Sequence, residues 1–232
     1  MASFYDIIKN VRSDCMTAKY DAVLFDFDGT VADTGEGIFS CVKIAIEQVG
    51  FAPLDEKLIR TFIGPPIFDS FKFTAGMNDE QSERAVAEYR KAYSAGGIYK
   101  FRLYDGIEAL FRKLHENGVK IAIASSKPSV FINRIIDFLD FGDIIDCVSC
   151  PDFDNDHKSK KELILNAVDE LGVNKERTLM VGDRHFDIDG ASLAGVESVG
   201  VTFGYGSEEE LKKAGATYIA GSADEIDKII FF

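Results

Sequence analysis

The sequence predicts an α/β fold: a Rossmann-like parallel sheet core that carries an inserted, all-helical cap domain. The first observation is a set of short apolar runs of strand length that alternate with amphipathic stretches of helical length. The runs cover Ala22–Phe25, 119–124, 144–148, 178–181 and Glu197–Val201. Strands and helices that alternate at this spacing predict parallel strands joined by right-handed helical crossovers.

The second observation is one long interruption of this alternation. From about residue 37 to about residue 103 the sequence has only helical patterns, at 38–49, 55–62, 67–74 and Asp79–Ala95. We therefore predict a helical cap over residues 35–103, on hinges near 33–35 and 99–106. The α/β core then comprises residues 21–34 and 104–232. Residues 1–20 are predicted to form a helical extension, with Phe4, Ile7, Ile8 and Val11 on one face.

Composition and charge narrow the class of partner. Lys plus Arg number 26 and Asp plus Glu 39, so the net charge of −13 disfavours binding to nucleic acid or an anionic membrane. No apolar run approaches the roughly 20 residues that span a bilayer, and the N-terminus does not resemble a signal peptide. We expect a cytoplasmic protein with a small-molecule substrate, either a monomer or a homodimer.

The four cysteines suggest neither a disulfide framework nor a paired metal site. Cys147 and Cys150 form a single C-x-x-C pair, which leaves a redox pair as an alternative. Because no second pair accompanies them, we expect reduced thiols at the end of a strand.

Polar side chains follow three of the apolar runs at the point where each run ends. Ligands of open α/β sheets bind at the carboxyl ends of the strands, so these side chains are expected to converge in space. They are Asp26 and Asp28, then Ser125 and Ser126, and finally Asp183 with Asp187.

Two acidic segments carry the predicted chemistry. Asp26 and Asp28 lie two residues apart before Gly29 and Thr30, where one carboxylate could attack phosphorus and the other could transfer protons. Alone, such a segment is equally compatible with a turn or part of a calcium loop. The second segment, 181–191, is rich in carboxylates and suits a hard divalent cation such as Mg²⁺. Helix capping by Asp187 or Asp189 is a compatible alternative.

These two acidic segments, together with Ser125 and a later lysine (Lys160 or Lys158), resemble the four motifs of the haloacid dehalogenase superfamily. The resemblance runs from about Tyr20 to the C-terminus and is greatest to the phosphoglycolate-phosphatase-like subgroup, which has a helical (C1) cap after the first strand. It implies a Mg²⁺-dependent phosphatase that hydrolyses a small-molecule phosphomonoester through an aspartyl-phosphate intermediate. Phosphoglycolate, a nucleoside 5′-monophosphate, pyrophosphate and a sugar phosphate remain open as substrates.

The resemblance also implies roles for individual residues. Asp26 is the nucleophile, and Asp28 is the general acid and base. Ser125 and a lysine of the third motif bind the phosphoryl group. Helix register favours Lys160 as that lysine, with Lys158 as the alternative. The metal ligands are Asp26, the backbone carbonyl of Asp28, and Asp183, supported by Asp187. Ser126 departs from the asparagine that is common in close relatives, which weakens inference about the substrate.

The cap and a late loop supply further candidates. Residues 62–66 (Phe-Ile-Gly-Pro-Pro) resemble a loop that reaches the active site, although a plain turn between helices fits equally well. The candidates for contact with a second anionic group of the substrate are Arg60, Lys72 and Arg102. Residues 200–206 are expected to form a turn beside the site, and His185 is a candidate for lining it.

Two other functions remain open on the sequence. A sugar-phosphate mutase of the same superfamily shares the four motifs, and release of phosphate rather than its transfer within the substrate would separate the two. A non-catalytic binding protein on the same fold is the other alternative, since fold alone does not prove activity. The presence of both Asp26 and Asp28 argues against it.

Overall fold

A computed structural model describes residues 17–153 and 158–232. Residues 1–16 of the predicted N-terminal extension, with its apolar face, lie outside this range, and the described residues 17–20 are not helical, contrary to the prediction. The remaining predictions can be compared with the described residues.

Six parallel strands form the central sheet, in the order β5-β4-β1-β6-β7-β8, and a separate antiparallel pair joins β2 to β3. The strands are β1 (Ala22–Phe25), β2 (Ala32–Asp33), β3 (Arg102–Leu103), β4 (Lys120–Ala124), β5 (Cys147–Ser149), β6 (Thr178–Gly182), β7 (Glu197–Val201) and β8 (Tyr218–Ala220). This sheet, with helices around it, confirms the predicted α/β class.

Helices cover both faces of the sheet, and the residues of β1 show why. Val23 and Phe25 point into one apolar cluster, whereas Ala22 and Leu24 point into the other. A strand buried on both faces has a continuous apolar sequence, as observed for parallel sheets in general.

The core helices divide between these two clusters. The first cluster contains residues of α5 (Ile107–Glu116), α6 (Ser129–Leu139) and α10 (Ala223–Phe231); the second contains residues of α7 (Lys160–Leu171) and α8 (His185–Ala194). A further short helix, α9 (Glu208–Ala214), packs against β7.

The segment between β2 and β3 is helical throughout its regular structure. It contains α1 (Gly35–Gln48), α2 (Glu56–Arg60), α3 (Ile67–Asp69), a π-helical turn at Ser70–Thr74, α4 (Asp79–Ala95) and a 3₁₀ turn at Gly97–Tyr99. Ala32 pairs with Leu103 and Asp33 with Arg102, so the chain enters and leaves this segment through adjacent strands. The segment coincides with the predicted cap, whose domain boundaries at residues 35 and 103 stay a prediction.

The strand predictions need correction in two respects. The run 144–148 is strand only at its last two residues, where β5 begins, because the chain first turns at Phe141, where the Ile144 amide donates to the Phe141 carbonyl at 2.9 Å. The strands β2, β3 and β8 were not predicted, since two or three residues are too few for a periodic pattern. Within the described residues, no helix combines the length and apolar character needed to cross a bilayer.

Phe111 provides a test of the core. Its side chain is fully buried in α5, with its ring centroid 4.8 Å from that of Phe25 and 5.8 Å from that of Phe141. Phe111→Ala should lower the free energy of unfolding by about 3–5 kcal/mol, because the large cavity cannot close fully. Phe232→Ala removes the same atoms from a side chain that is 89% exposed. It should change stability by less than about 0.5 kcal/mol in the same urea titration. Equal losses for the two variants would contradict the assigned core.

Candidate active site

The first predicted pair of carboxylates lies at the carboxyl end of β1, in the middle of the sheet. The Asp26 amide donates to the Val181 carbonyl at 2.9 Å, which fixes Asp26 beside the end of β6. Gly29 then turns the chain with φ +91°, a value that favours glycine. Asp26 is buried and Asp28 partly so.

Lys160, the first residue of α7, reaches Asp26 from the face of the sheet that the second apolar cluster covers. Its ammonium lies 2.8 Å from Asp26 Oδ1 and 2.7 Å from Asp187 Oδ1, and it donates to the Ala124 carbonyl at 2.9 Å. Burial alone lowers the pKa of Lys160, but Asp187 and Asp26 raise it above its ordinary value, so the ammonium stays charged. Lys158 lines an open groove that Lys160 also borders, but the ion pairs to Asp26 and Asp187 are made by Lys160. The geometry therefore favours Lys160 of the two predicted alternatives.

Asp26, Asp183 and Asp187 form a buried cluster in which one carboxylate oxygen from each lies within 4.8 Å of the others. Burial raises the pKa of Asp26 to about 6, against the opposing effect of Lys160. Burial, Asp187 and Asp26 raise the pKa of Asp183 well above its ordinary value. Three acidic groups thus face one ammonium, and a hard divalent cation with oxygen ligands would balance them. Asp187, predicted to support the ligands, also lies close enough to be one.

The turn after β7 packs directly against this cluster, as predicted for residues 200–206. The Tyr205 amide donates to Asp183 Oδ2 at 2.7 Å, and the Tyr205 hydroxyl donates to Asp33 Oδ1 at 2.6 Å. A side chain at Gly206 would place its Cβ 1.9 Å from the Asp183 carbonyl oxygen, so only glycine permits this approach. Sequence analysis missed Tyr205. The two flanking glycines were the only signal that could have indicated it.

The segment after β4 brings a second buried lysine to the site. Ser125 is buried, and its hydroxyl accepts from the Lys127 amide at 3.4 Å. The Lys127 ammonium donates to both Asp28 oxygens, at 2.9 and 2.7 Å, and lies 4.9 Å from the Tyr93 ring centroid. The Thr34 hydroxyl donates to Asp28 Oδ1 at 2.7 Å. Lys127 was visible next to the second motif, but sequence analysis gave it no role.

A cavity of about 60 Å³ adjoins these groups. Its lining includes Asp26, Asp28, Ser125, Ser126 and Lys127 from the core; the helical segment contributes residues that include Ile38, Phe62, Gly64, Pro65, Pro66, Ile67, Tyr89 and Arg90. The loop 62–66 therefore reaches the site, in agreement with one of its two predicted interpretations.

The three predicted cationic contacts are not brought to this cavity. Arg60 lies over the Phe39 ring, Lys72 forms an ion pair with Asp79 at 2.7 Å, and Arg102 is exposed on β3. Sequence analysis placed them by charge and proximity in the chain, but their helices and strand point them elsewhere. The cationic side chains that do line the cavity are Lys127 and Arg90.

Two minor predictions can also be compared with the structure. His185 contacts Glu210, with its Nδ1 2.7 Å from Oε1, and does not line the cavity. Cys147 and Cys150 are buried, unpaired thiols. Burial is the largest factor that raises the pKa of each to about 12, which disfavours the reactive thiolate and accords with the expectation of reduced thiols.

Comparison with known proteins assigns the family. Residues 23–201 match the haloacid dehalogenase-like hydrolase family. Over 212 residues the chain is 34% identical to a 5′-nucleotidase of Pseudomonas aeruginosa, covering 91% of this chain and 96% of the relative. It is also 34% identical to the tyrosine-protein kinase PtkA of Mycobacterium tuberculosis, covering 88% and 70%, and 30% identical to a phosphoglycolate phosphatase of Neisseria meningitidis, covering 88% and 91%.

A solved structure supports the same assignment. The crystal structure of a predicted phosphatase from Clostridium acetobutylicum is 36% identical and superposes with a TM-score of 0.85, covering 90% of this chain and 97% of that one. The chain belongs to the haloacid dehalogenase-like hydrolase family. Within that family it is a phosphatase, a phosphoric monoester hydrolase of the phosphoglycolate-phosphatase-like group.

The acidic cluster generates a prediction about stability. At neutral pH and in EDTA, Asp183→Asn should be more stable than wild type, because it removes a charge that burial and two carboxylates disfavour. This advantage should shrink as pH falls, since an acid whose pKa is raised on folding lowers stability only above the pKa that it has in the unfolded chain. Thermal unfolding at several pH values measures it.

When a divalent cation is added, wild type should become more stable than Asp183→Asn, which reverses the order of stability seen in EDTA. A site that binds only the folded state contributes about 2.7 kcal/mol at a concentration 100 times Kd, and Asp183→Asn should lose most of that gain. Asp189→Asn changes an exposed carboxylate on α8, the helix that carries Asp187, and serves as the control. Equal cation-induced stabilisation of wild type and Asp183→Asn would show that Asp183 is not part of a cation site.

Proposed function

We propose that this phosphatase is Mg²⁺-dependent and hydrolyses a small-molecule phosphomonoester through an aspartyl phosphate on Asp26. The proposal rests on one observation: Asp26 borders the cavity while its carboxylate contacts Lys160 and belongs to the buried acidic cluster. A nucleophilic carboxylate, a fixed ammonium and a cation-binding cluster are the groups that phosphoryl transfer requires.

In the proposed first step, an oxygen of Asp26 attacks phosphorus while the bond from phosphorus to the leaving oxygen breaks. Asp28 donates its proton to that leaving oxygen. In the second step, water attacks the phosphorus of the aspartyl phosphate, Asp28 accepts a proton from the water, and inorganic phosphate leaves. Both carboxyl groups then regain their starting states.

The neighbouring residues are proposed to orient these two acids and the phosphoryl group. The Lys127 ammonium and the Thr34 hydroxyl hold the Asp28 side chain beside the cavity. The Ser125 hydroxyl and Lys160 would donate to the phosphoryl oxygens, whose charge increases in the transition state. A magnesium ion held by Asp26, Asp183 and the Asp28 backbone carbonyl, with Asp187 adjacent, would neutralise further charge there.

The substrate is proposed only as a class. The relatives include a 5′-nucleotidase and a phosphoglycolate phosphatase, so a nucleoside 5′-monophosphate and phosphoglycolate are both candidates. A cytoplasmic location stays part of the proposal and accords with the three unpaired thiols among the described residues, since disulfides are rare in that compartment.

Phosphate release tests the proposal directly. A panel of acetyl phosphate, phosphoglycolate, p-nitrophenyl phosphate, 5′-nucleotides, pyrophosphate and sugar phosphates is assayed with Mg²⁺ and with EDTA. We expect release only with Mg²⁺, and a loss of at least about 10³-fold in kcat for Asp26→Asn, which removes the nucleophile.

The control variant is Asp21→Asn, which alters a carboxylate immediately before β1, paired with Arg177 at 2.8 Å. It should retain wild-type activity. No release from any ester by folded, Mg²⁺-loaded protein would reject the proposal. A substrate converted to an isomer without free phosphate would instead identify a mutase.

A further inference from the structure

Arg184 links the cation-site segment of the core to the loop 62–66. It follows Asp183, between β6 and α8, and its Nη1 donates to the Ile63 carbonyl at 3.1 Å. Among the described residues this is the only hydrogen bond from the core to that loop. Ile63 is itself fully buried, so its carbonyl is a fixed acceptor.

The guanidinium is held from its other side by Glu210 of α9. Arg184 Nε donates to Glu210 Oε1 at 2.9 Å, and the same oxygen accepts from the His185 amide at 3.0 Å. The Arg184 side chain is 20% exposed. An arginine fixed at both ends loses little further conformational freedom when it holds a loop.

The loop rests on the Arg184 side chain. Gly64 has φ +104°, a left-handed conformation that favours glycine, and a Cβ built at Gly64 would lie 3.5 Å from Arg184 Nη1. Before the glycine, the Phe62 ring packs on Phe71, with centroids 5.2 Å apart. The loop is thus held between the helical segment and the core.

This loop lies between a small cavity and a much larger groove. The cavity beside Asp26 has a volume of about 60 Å³, and a groove of about 400 Å³ lies on the other side of Gly64, Pro65 and Pro66. The groove is lined in part by Lys158, Phe186 and Leu193, and it is also bordered by Ser126. Pockets that enclose small organic ligands usually measure about 300–1,000 Å³, so the cavity alone accepts only a few atoms beyond the phosphoryl group.

We propose that Arg184 is a specificity-determining positioning residue: by holding the loop 62–66 closed, it restricts this phosphatase to phosphoesters with small leaving groups. When the hydrogen bond to Ile63 is broken, the loop moves and the cavity joins the groove, whose exposed Phe186 and Leu193 suit an aromatic leaving group. This inference rests on the proposed phosphatase activity. It adds the residue that limits the size of the substrate.

The test compares two substrates of different size in wild type and Arg184→Ala. Acetyl phosphate has a small leaving group, and p-nitrophenyl phosphate has a bulky aromatic one. We expect the ratio of kcat/KM for p-nitrophenyl phosphate to that for acetyl phosphate to rise at least about tenfold, chiefly through KM, which is ~1.4 kcal/mol of discrimination. Because each variant is compared with wild type, the intrinsic reactivity of the two substrates, an acyl phosphate and an aryl phosphate ester, cancels.

Matched variants separate a change in specificity from general damage. Arg177→Ala removes an arginine at the opposite end of β6, where it binds Asp21, and should leave the ratio unchanged. Glu210→Gln keeps the shape of the partner but weakens its charge-assisted hydrogen bond, so it should shift the ratio in the same direction by less. If Arg184→Ala does not fold, the shift in the substrate ratio of Glu210→Gln tests the proposal in its place.

A second measurement follows the loop itself. Hydrogen–deuterium exchange of the peptide that contains residues 62–71 should increase in Arg184→Ala and stay unchanged in Arg177→Ala. An unchanged substrate ratio, with both substrates affected equally, would overturn the inference while leaving the phosphatase activity intact. If wild type hydrolysed neither of these substrates nor any other member of the panel, the proposed function would fall, and this inference with it.

Discussion

The burial of negative charge around Asp26 is the constraint on which the rest of the site depends. Three carboxylates lie within 4.8 Å of one another, and the ammonium within hydrogen-bonding distance of two of them is that of Lys160. Removing a charged group from water costs several kcal/mol unless a partner compensates it. The adjacency of β1 and β6 creates the cluster, α7 supplies the lysine, and the turn at Tyr205 supplies a backbone donor to Asp183. A divalent cation bound at this cluster would balance the negative charge that the protein's own groups leave uncompensated.

The local charge of the site contrasts with that of the whole chain. A net charge of −13 does not attract an anionic substrate over long distances, so recognition depends on contacts inside the cavity. Lys160 and Lys127 approach β1 from different sides, and each is already paired with one of the two catalytic candidates, Asp26 and Asp28. The relatives do not define the leaving group, because a 5′-nucleotidase and a tyrosine-protein kinase are both 34% identical to this chain. In this account the residues that line the cavity, and the loop 62–66 beside it, determine which leaving groups fit.

Much of the fold and part of the candidate site could be predicted from the sequence, for a physical reason. Buried parallel strands have continuous apolar sequences, and the polar residues at their carboxyl ends converge, which located Asp26, Ser125 and Asp183 together. Short elements gave no such signal: β8 has three residues, and Ile144 is apolar in a turn rather than in a strand. Interactions between distant segments were also invisible, as with Lys127 and Asp28, or Arg184 and the loop carbonyl. Arg60 and Lys72 illustrate the opposite kind of error. They were predicted to contact the substrate because they are positively charged and lie in the cap segment, but their side chains make other contacts.

The most direct measurement is the detection of phosphate on Asp26 itself. The protein is mixed with Mg²⁺ and a ³²P-labelled ester that it hydrolyses, quenched in acid within one turnover, and mapped by proteolysis. We predict acid-stable, alkali-labile label on the peptide that contains Asp26, present in wild type and absent in Asp26→Asn. Rapid phosphate release without labelled protein at any time, or label on another residue with Asp26→Asn still active, would contradict the central claim.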